Sequence, residues 1–203
     1  MTSRPYRGVP AEQRVEERRE RLLDAGLALF GTKGAADTRL DELCAEAGLT
    51  KRYFYESFPT MADLLDAVFD RAVAELFDAT LKSVETGGWR DPRPALEAIT
   101  RRLVEDPRML HILLVENSSE LLAKRRMLLD LAVDSWLAAD PHRSPDPVHL
   151  AEQRFLAHAM GGAWAETVSA WMNGRIELSL DELIDQLVRV FERITPRHRY
   201  PDG

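Results

Sequence analysis

The sequence predicts an all-α fold in two parts: an N-terminal three-helix, helix-turn-helix domain (residues 1–58) and a larger helical domain (residues 59–203). Three observations point there. Apolar residues recur three and four apart through most of the chain, the period of helices packed on one face. Capping residues, glycines and prolines punctuate those stripes at helix-like intervals. No alternation of apolar and polar residues stands out as a strand. With 203 residues the chain can build one sizeable core or two small domains.

Residues 1–10 hold Arg4, Pro5, Arg7 and Pro10 and no acid. They are either an arm that reaches nucleic acid or a frayed terminus. The first helix spans about 11–33, with Leu22, Leu23, Gly26, Leu27 and Phe30 as its buried stripe. Its upstream part, EQRVEERRER, pairs acids and bases three and four apart and reads as a solvated face. Lys33 and Gly34 close it, a cation followed by a C′ glycine.

Residues 38–58, TRLDELCAEAGLTKRYFYESF, form the stretch around which the domain is organised. Thr38, with Asp41 three residues on, has the pattern of an N-cap and capping box. Leu40, Leu43, Cys44 and Ala47 share one helical face. Gly48 ends that helix in the left-handed conformation that glycine adopts without steric cost. Thr50 caps a second short helix from Lys51 to about Ser57. Two helices joined by a tight glycine-bearing turn define a helix-turn-helix. At about 100° per residue, Phe54 and Phe58 face the core while Lys51, Arg52, Tyr53 and Tyr55 point outward. Such a set of basic and phenolic groups can meet phosphates and base edges together.

Pro59 breaks the chain, and Thr60 with Asp63 makes a second capping box for a long helix to about residue 84. Asp91-Pro92 opens a helix to about 104, and Asp106-Pro107 a short one over about 108–115. Ser118 or Ser119 caps another through 137, with Leu121, Leu122, Leu128, Leu129, Ala132, Val133 and Trp136 on its stripe. Residues 140–147, DPHRSPDP, are a loop because three prolines in eight residues forbid helix. A long helix over 148–172 is rich in small residues, among them Gly161 and Gly162. Ser179 with Glu182 makes a third capping box for a last helix, 180–194, whose apolar arc is wide. These two helices either close the core of one chain or pair with a second copy.

The run AGLTKRYFYESFPTMADLL, together with RRERLLDAGLALFGTKG before it, resembles the signature of the TetR family of transcriptional regulators. The resemblance covers residues 18–65, a quarter of the chain. It implies a sequence-specific DNA-binding regulator, by family default a repressor, acting as a homodimer on a palindromic operator. Dimerisation would use the helices at 148–172 and 180–194. A small hydrophobic effector would bind in the C-terminal domain and release the DNA. Carried onto this chain, the DNA-binding residues are Thr38, Arg39, Thr50, Lys51, Arg52, Tyr53, Tyr55 and Thr60. The effector pocket would be lined by Met109, His111, Trp136, Met160 and Trp164, with Trp89, Asn117, Met127, Phe155 and Trp171 as further candidates. The chain departs from the family pattern at Arg52 and Tyr53, where many members have a glycine and a small hydroxyl residue. Met61 stands where many have lysine, and Arg39 where Ser or Thr is frequent.

The formal net charge is −7, yet residues 1–58 hold 10 Lys+Arg against 10 Asp+Glu, so the excess acid lies in the remainder. One cysteine excludes an intramolecular disulfide and fits the cytoplasm. No apolar run reaches the length of a membrane span, and the N-terminus has no apolar signal core. Neither G-x-x-x-x-G-K-[ST] nor G-x-G-x-x-G occurs, and none of the five histidines follows a glutamate by three residues. The sequence therefore predicts no enzyme, no metal and no cofactor. The alternative it leaves is a helical small-molecule binding protein without DNA function.

Overall fold

A computed structural model describes residues 11–87, 91–116, 118–139 and 146–194 of the chain. They are helical almost throughout, with no strand among them. In order these are α1 (Ala11–Lys33), α2 (Leu40–Ala47), α3 (Lys51–Ser57), α4 (Met61–Gly87) and α5 (Arg93–Glu105). There follow α6 (Pro107–Leu110), a π-helical turn (His111–Val115), α7 (Ser119–Ala139), α8 (Pro147–Met172) and α9 (Leu180–Ile194). The basic arm at 1–10, most of the proline-rich loop and the tail after 194 lie outside the described residues.

The chain divides into two compact units, Met1–Arg71 and Ala72–Gly203, so the boundary falls inside α4 rather than at Pro59. The first turns of α4 explain this. Leu64, Leu65, Val68 and Phe69 are buried, and Arg71 reaches Glu20 at 3.3 Å and Asp24 at 2.8 Å on α1. Pro59 redirects the chain without ending its packing. Gly26 lets α1 and α4 approach closely: a Cβ there would stand 2.8 Å from Val68 Cγ2 and 3.4 Å from Phe30 Cε2. Leu22, Phe30, Leu43, Phe54 and Leu64 are completely buried in this unit.

In the second unit α5 packs along α9 and α7 along α8. Leu96, Ile184 and Val188 form one apolar cluster, flanked outside by the pairs Arg93–Asp185 and Arg101–Asp181, each at 2.6 Å. His158–Asp130 at 3.3 Å and Arg154–Asp134 at 2.6 Å set α7 and α8 antiparallel. Gly161 serves that contact, since a Cβ there would lie 3.0 Å from Leu129 Cδ1, whereas Gly162 faces open space. The stripe expected on α7 is only partly buried. Leu121, Val133 and Leu137 face inward, while Leu129 and Ala132 are exposed.

Local side-chain bonds mark the starts of α5, α6, α7 and α9. Asp91 accepts from Arg93 N at 2.9 Å, Asp106 from Arg108 N at 3.1 Å, and Ser118 Oγ from Leu121 N at 3.3 Å. Ser179 and Glu182 form a reciprocal box, Ser179 N to Glu182 Oε2 at 2.8 Å and Glu182 N to Ser179 Oγ at 3.3 Å. The helix expected over 108–115 is instead one α turn followed by the π turn, closed by Glu116 N donating to His111 O at 2.8 Å.

The Gly26 contact yields a test. Gly26→Val should destabilise the protein by about 1–3 kcal/mol through overpacking against Val68. Urea unfolding should show a lower midpoint, and an unchanged midpoint would show that the α1–α4 contact yields without cost.

Candidate nucleic-acid interface

The turn between α2 and α3 is built from backbone geometry. Gly48 takes φ +60°, ψ 36°, and Gly48 N and Leu49 N donate to the carbonyls of Ala45 and Cys44 at 3.0 and 2.9 Å. Arg21 of α1 adds a second cap, donating from Nη2 to Ala47 O at 2.5 Å and Gly48 O at 2.9 Å. Beneath the turn, Leu43, Cys44 and Ala47 are buried. Burial pushes the Cys44 thiol up, with Asp41 adding to the effect and Lys51 opposing it.

α3 has a sharply divided surface. Phe54 and Phe58 are 0% and 2% exposed, their centroids 6.3 Å apart. Lys51, Arg52, Tyr53 and Tyr55 are exposed, as their helical angles predict. Tyr55 packs edge-on against Phe54 at 5.3 Å and remains 59% exposed. Tyr53 carries the Arg18 guanidinium over its ring at 4.6 Å. Lys51 Nζ lies 2.6 Å from Asp41 Oδ1, and the hydrogen bond to Asp41 holds the ammonium pKa above its ordinary value. Arg52 Nε bonds Glu56 Oε1 at 3.0 Å, and Arg18 approaches Glu56 Oε2 at 3.8 Å.

The hydroxyl-bearing residues divide. Thr38 is not the N-cap of α2. Arg39 holds that position in extended conformation with no side-chain cap bond, and α2 begins at Leu40. The Thr38 hydroxyl instead donates to Gly34 O at 2.8 Å, and the residue is 9% exposed. It pins the loop after α1, so the expected Thr38–Asp41 box does not form. Thr50 is the N-cap of α3 by backbone angles but makes no side-chain cap bond. Thr60 does cap α4, accepting from Asp63 N at 3.1 Å and donating to Asp63 Oδ2 at 2.7 Å.

Three arginines of the supposedly solvated segment of α1 brace this site. Besides Arg18 and Arg21, Arg19 stacks on Phe58 at 4.4 Å and reaches Ser57 O at 3.5 Å. The signal was present in the spacing. Leu22 and Leu23 stand four residues after Arg18 and Arg19, which places both arginines beside the buried stripe.

The residues expected to line an effector pocket are dispersed in role. Met109 is fully buried. Trp164 packs on the Leu96–Ile184–Val188 cluster and donates Nε1 to the buried Thr100 hydroxyl at 3.1 Å. His111 sits half-buried in the π turn, and Met160 is half-buried on α8. Trp89 and Asn117, and the side chain of Trp136, lie outside the described residues. A groove of about 690 Å³ lies on the first turns of α8, lined by Pro147, Val148, Ala151, Glu152, Phe155 and Leu156, of which Phe155 alone was among the expected lining residues. Sequence inspection passed over Arg125 on α7. Its Nη2 donates to Glu116 O at 2.9 Å, its Nε is buried without a partner, and burial lowers its pKa. Among the described residues no group of His, Cys, Asp and Glu could hold a metal ion, and no helix is long and apolar enough to cross a membrane.

The described residues thus form an N-terminal helix-turn-helix with an exposed cationic, tyrosine-bearing second helix, followed by a larger helical unit. Residues 22–68 match the family of bacterial regulatory proteins, tetR family. The HTH-type transcriptional regulator SrpR of Pseudomonas putida is 38% identical over 54 residues, 27% of this chain and 25% of that protein. The match therefore spans about a quarter of that curated relative. A TetR-like regulator from Rhodococcus sp. RHA1 superposes with a TM-score of 0.66 at 20% identity, covering 87% of this chain and 94% of that one. The fatty acid degradation regulator FadR from Bacillus halodurans gives 0.71 at 15% identity, covering 89% and 96%. These two likenesses are of fold. The TetR-family match is carried by the N-terminal segment, and the chain as a whole shares the fold of these regulators.

The buried turn predicts a silent thiol. In the native protein, Cys44 should react with an aromatic disulfide reagent only at the rate at which the N-terminal unit opens. Fast labelling without denaturant would contradict its burial.

Proposed function

We propose that the protein is a sequence-specific DNA-binding repressor, working as a homodimer on a palindromic operator and released by a small hydrophobic effector. The carrying observation is the outer face of α3, with Lys51, Arg52, Tyr53 and Tyr55 exposed over the buried Phe54 and Phe58. In this role Lys51, Arg52 and Tyr53 meet bases and neighbouring phosphates in the major groove. Tyr55, Arg39, Thr50 and Thr60 hold the backbone. Thr38, with its hydroxyl bonded to Gly34, acts by fixing where Arg39 and α2 begin.

Two copies of α3 would enter successive major grooves about 34–36 Å apart. Pairing through α8 and α9 is supported by apolar groups they leave uncovered: Val148 is 66% exposed, Phe155 72% and Val190 40%, and Gly162 opens onto free space. An effector that binds better to a dimer with the wrong separation of α3 helices releases DNA by that difference in affinity. α4 is continuous across the division between the units and gives such a change a covalent path. The site of action is the cytoplasm, where the operator is.

Selection of duplexes from random DNA tests this. Arg52→Ala should lose about 1–3 kcal/mol of discrimination at the base pair it reads and so change the selected sequence. Tyr55→Phe should weaken all selected duplexes alike, by about ten-fold for the lost bond to a charged phosphate. Binding by the wild type should fall steeply with salt. Identical selected sequences for wild type and Arg52→Ala would remove the base-reading role, and salt-insensitive binding would favour a helical ligand-binding protein.

A further inference from the structure

Two of the cations on the outer face of α3 are already engaged in the free protein. Lys51 Nζ stands 2.6 Å from Asp41 Oδ1 across the turn, and Arg52 Nε stands 3.0 Å from Glu56 Oε1 one helical turn on. The other oxygen of Glu56 faces Arg18 at 3.8 Å, whose guanidinium lies on Tyr53. Asp41 is available for this because it caps nothing: α2 starts after Arg39 without a side-chain cap bond, and Thr38 turns away to Gly34. The pairs are open to solvent, with the side chains of Asp41 79% and Arg52 83% exposed. Exposed pairs are weak and exchange readily.

We infer that Asp41 and Glu56 are resident competitor anions for the DNA-reading cations, so that Lys51 and Arg52 reach DNA only by exchanging a carboxylate for a phosphate or a base edge. This rests on α3 being the DNA-reading helix. The two carboxylates hold down attraction to DNA of arbitrary sequence, which depends on free cations meeting phosphates. They leave a matched site, where Arg52 and the tyrosines gain base-edge contacts, to make the exchange favourable. The even balance of 10 basic and 10 acidic residues over 1–58 then has a local meaning. Some of the acids stand against the reading cations themselves.

The test uses the full chain and a mixed-sequence duplex, so that no operator need be known. Asp41→Asn and Glu56→Gln should each raise affinity about three- to five-fold beyond a control that removes one exposed carboxylate elsewhere on α2, Glu46→Gln. The gain from Asp41→Asn should vanish in a Lys51→Met background, where the cation it restrains is gone. The inference is overturned if all three carboxylate variants gain equally, or if Asp41→Asn keeps its advantage without Lys51. A different result strikes the underlying reading instead: wild type and variants alike retaining no duplex from a random pool at low salt.

Discussion

Everything on the outer face of α3 depends on how Phe54 and Phe58 are held. α3 has seven residues, too few to persist as a helix in water alone. Burying one such ring completely contributes about 1.5–3 kcal/mol. Both rings enter the core that Leu22, Phe30, Leu43 and Leu64 also fill. With its inner edge fixed this way, the outer edge of α3 stays open to solvent, Tyr55 resting only edge-on against Phe54 and Tyr53 under Arg18. Lys51 and Arg52 hold no place in that core and pair only with the exposed carboxylates of Asp41 and Glu56.

The orientation of that edge is then set from α1. Arg21 holds the carbonyl end of α2, Arg19 lies on Phe58, and Arg18 lies on Tyr53. A guanidinium can stack and donate in a fixed plane at once, which suits it to bracing a short helix through both its ring and its carbonyls. The segment of α1 that carries these arginines thus forms part of the site without facing it.

Much of this was legible in the sequence because it is written locally. Gly48, Pro107, Ser179 with Glu182 and Thr60 with Asp63 each act within a few residues, and the helices begin and end beside them. The division of α3 into buried and exposed sides followed from helical angle alone. What was missed depends on distant partners. Thr38 looks like a cap until Gly34 O is 2.8 Å from its hydroxyl. The charges of Arg18 to Arg21 look self-paired along α1 until the turn packs against them. The extension of the first unit to Arg71 needed the fit of Gly26 to Val68, which no period reveals. In the second unit, Trp164 packs half-buried on the Leu96–Ile184–Val188 cluster with its indole bonded to Thr100, and Arg125, whose Nε is buried without a partner, had no distinguishing spacing.

The central claim is that the outer face of α3 is where DNA meets this chain. The most direct measurement is amide NMR of the full protein titrated with a duplex selected from random DNA. The account predicts that the largest shifts fall at Arg39 and across residues 50–55, with Phe54 and Phe58 keeping their buried environment. Perturbations that leave those residues untouched and gather elsewhere on the chain would contradict it.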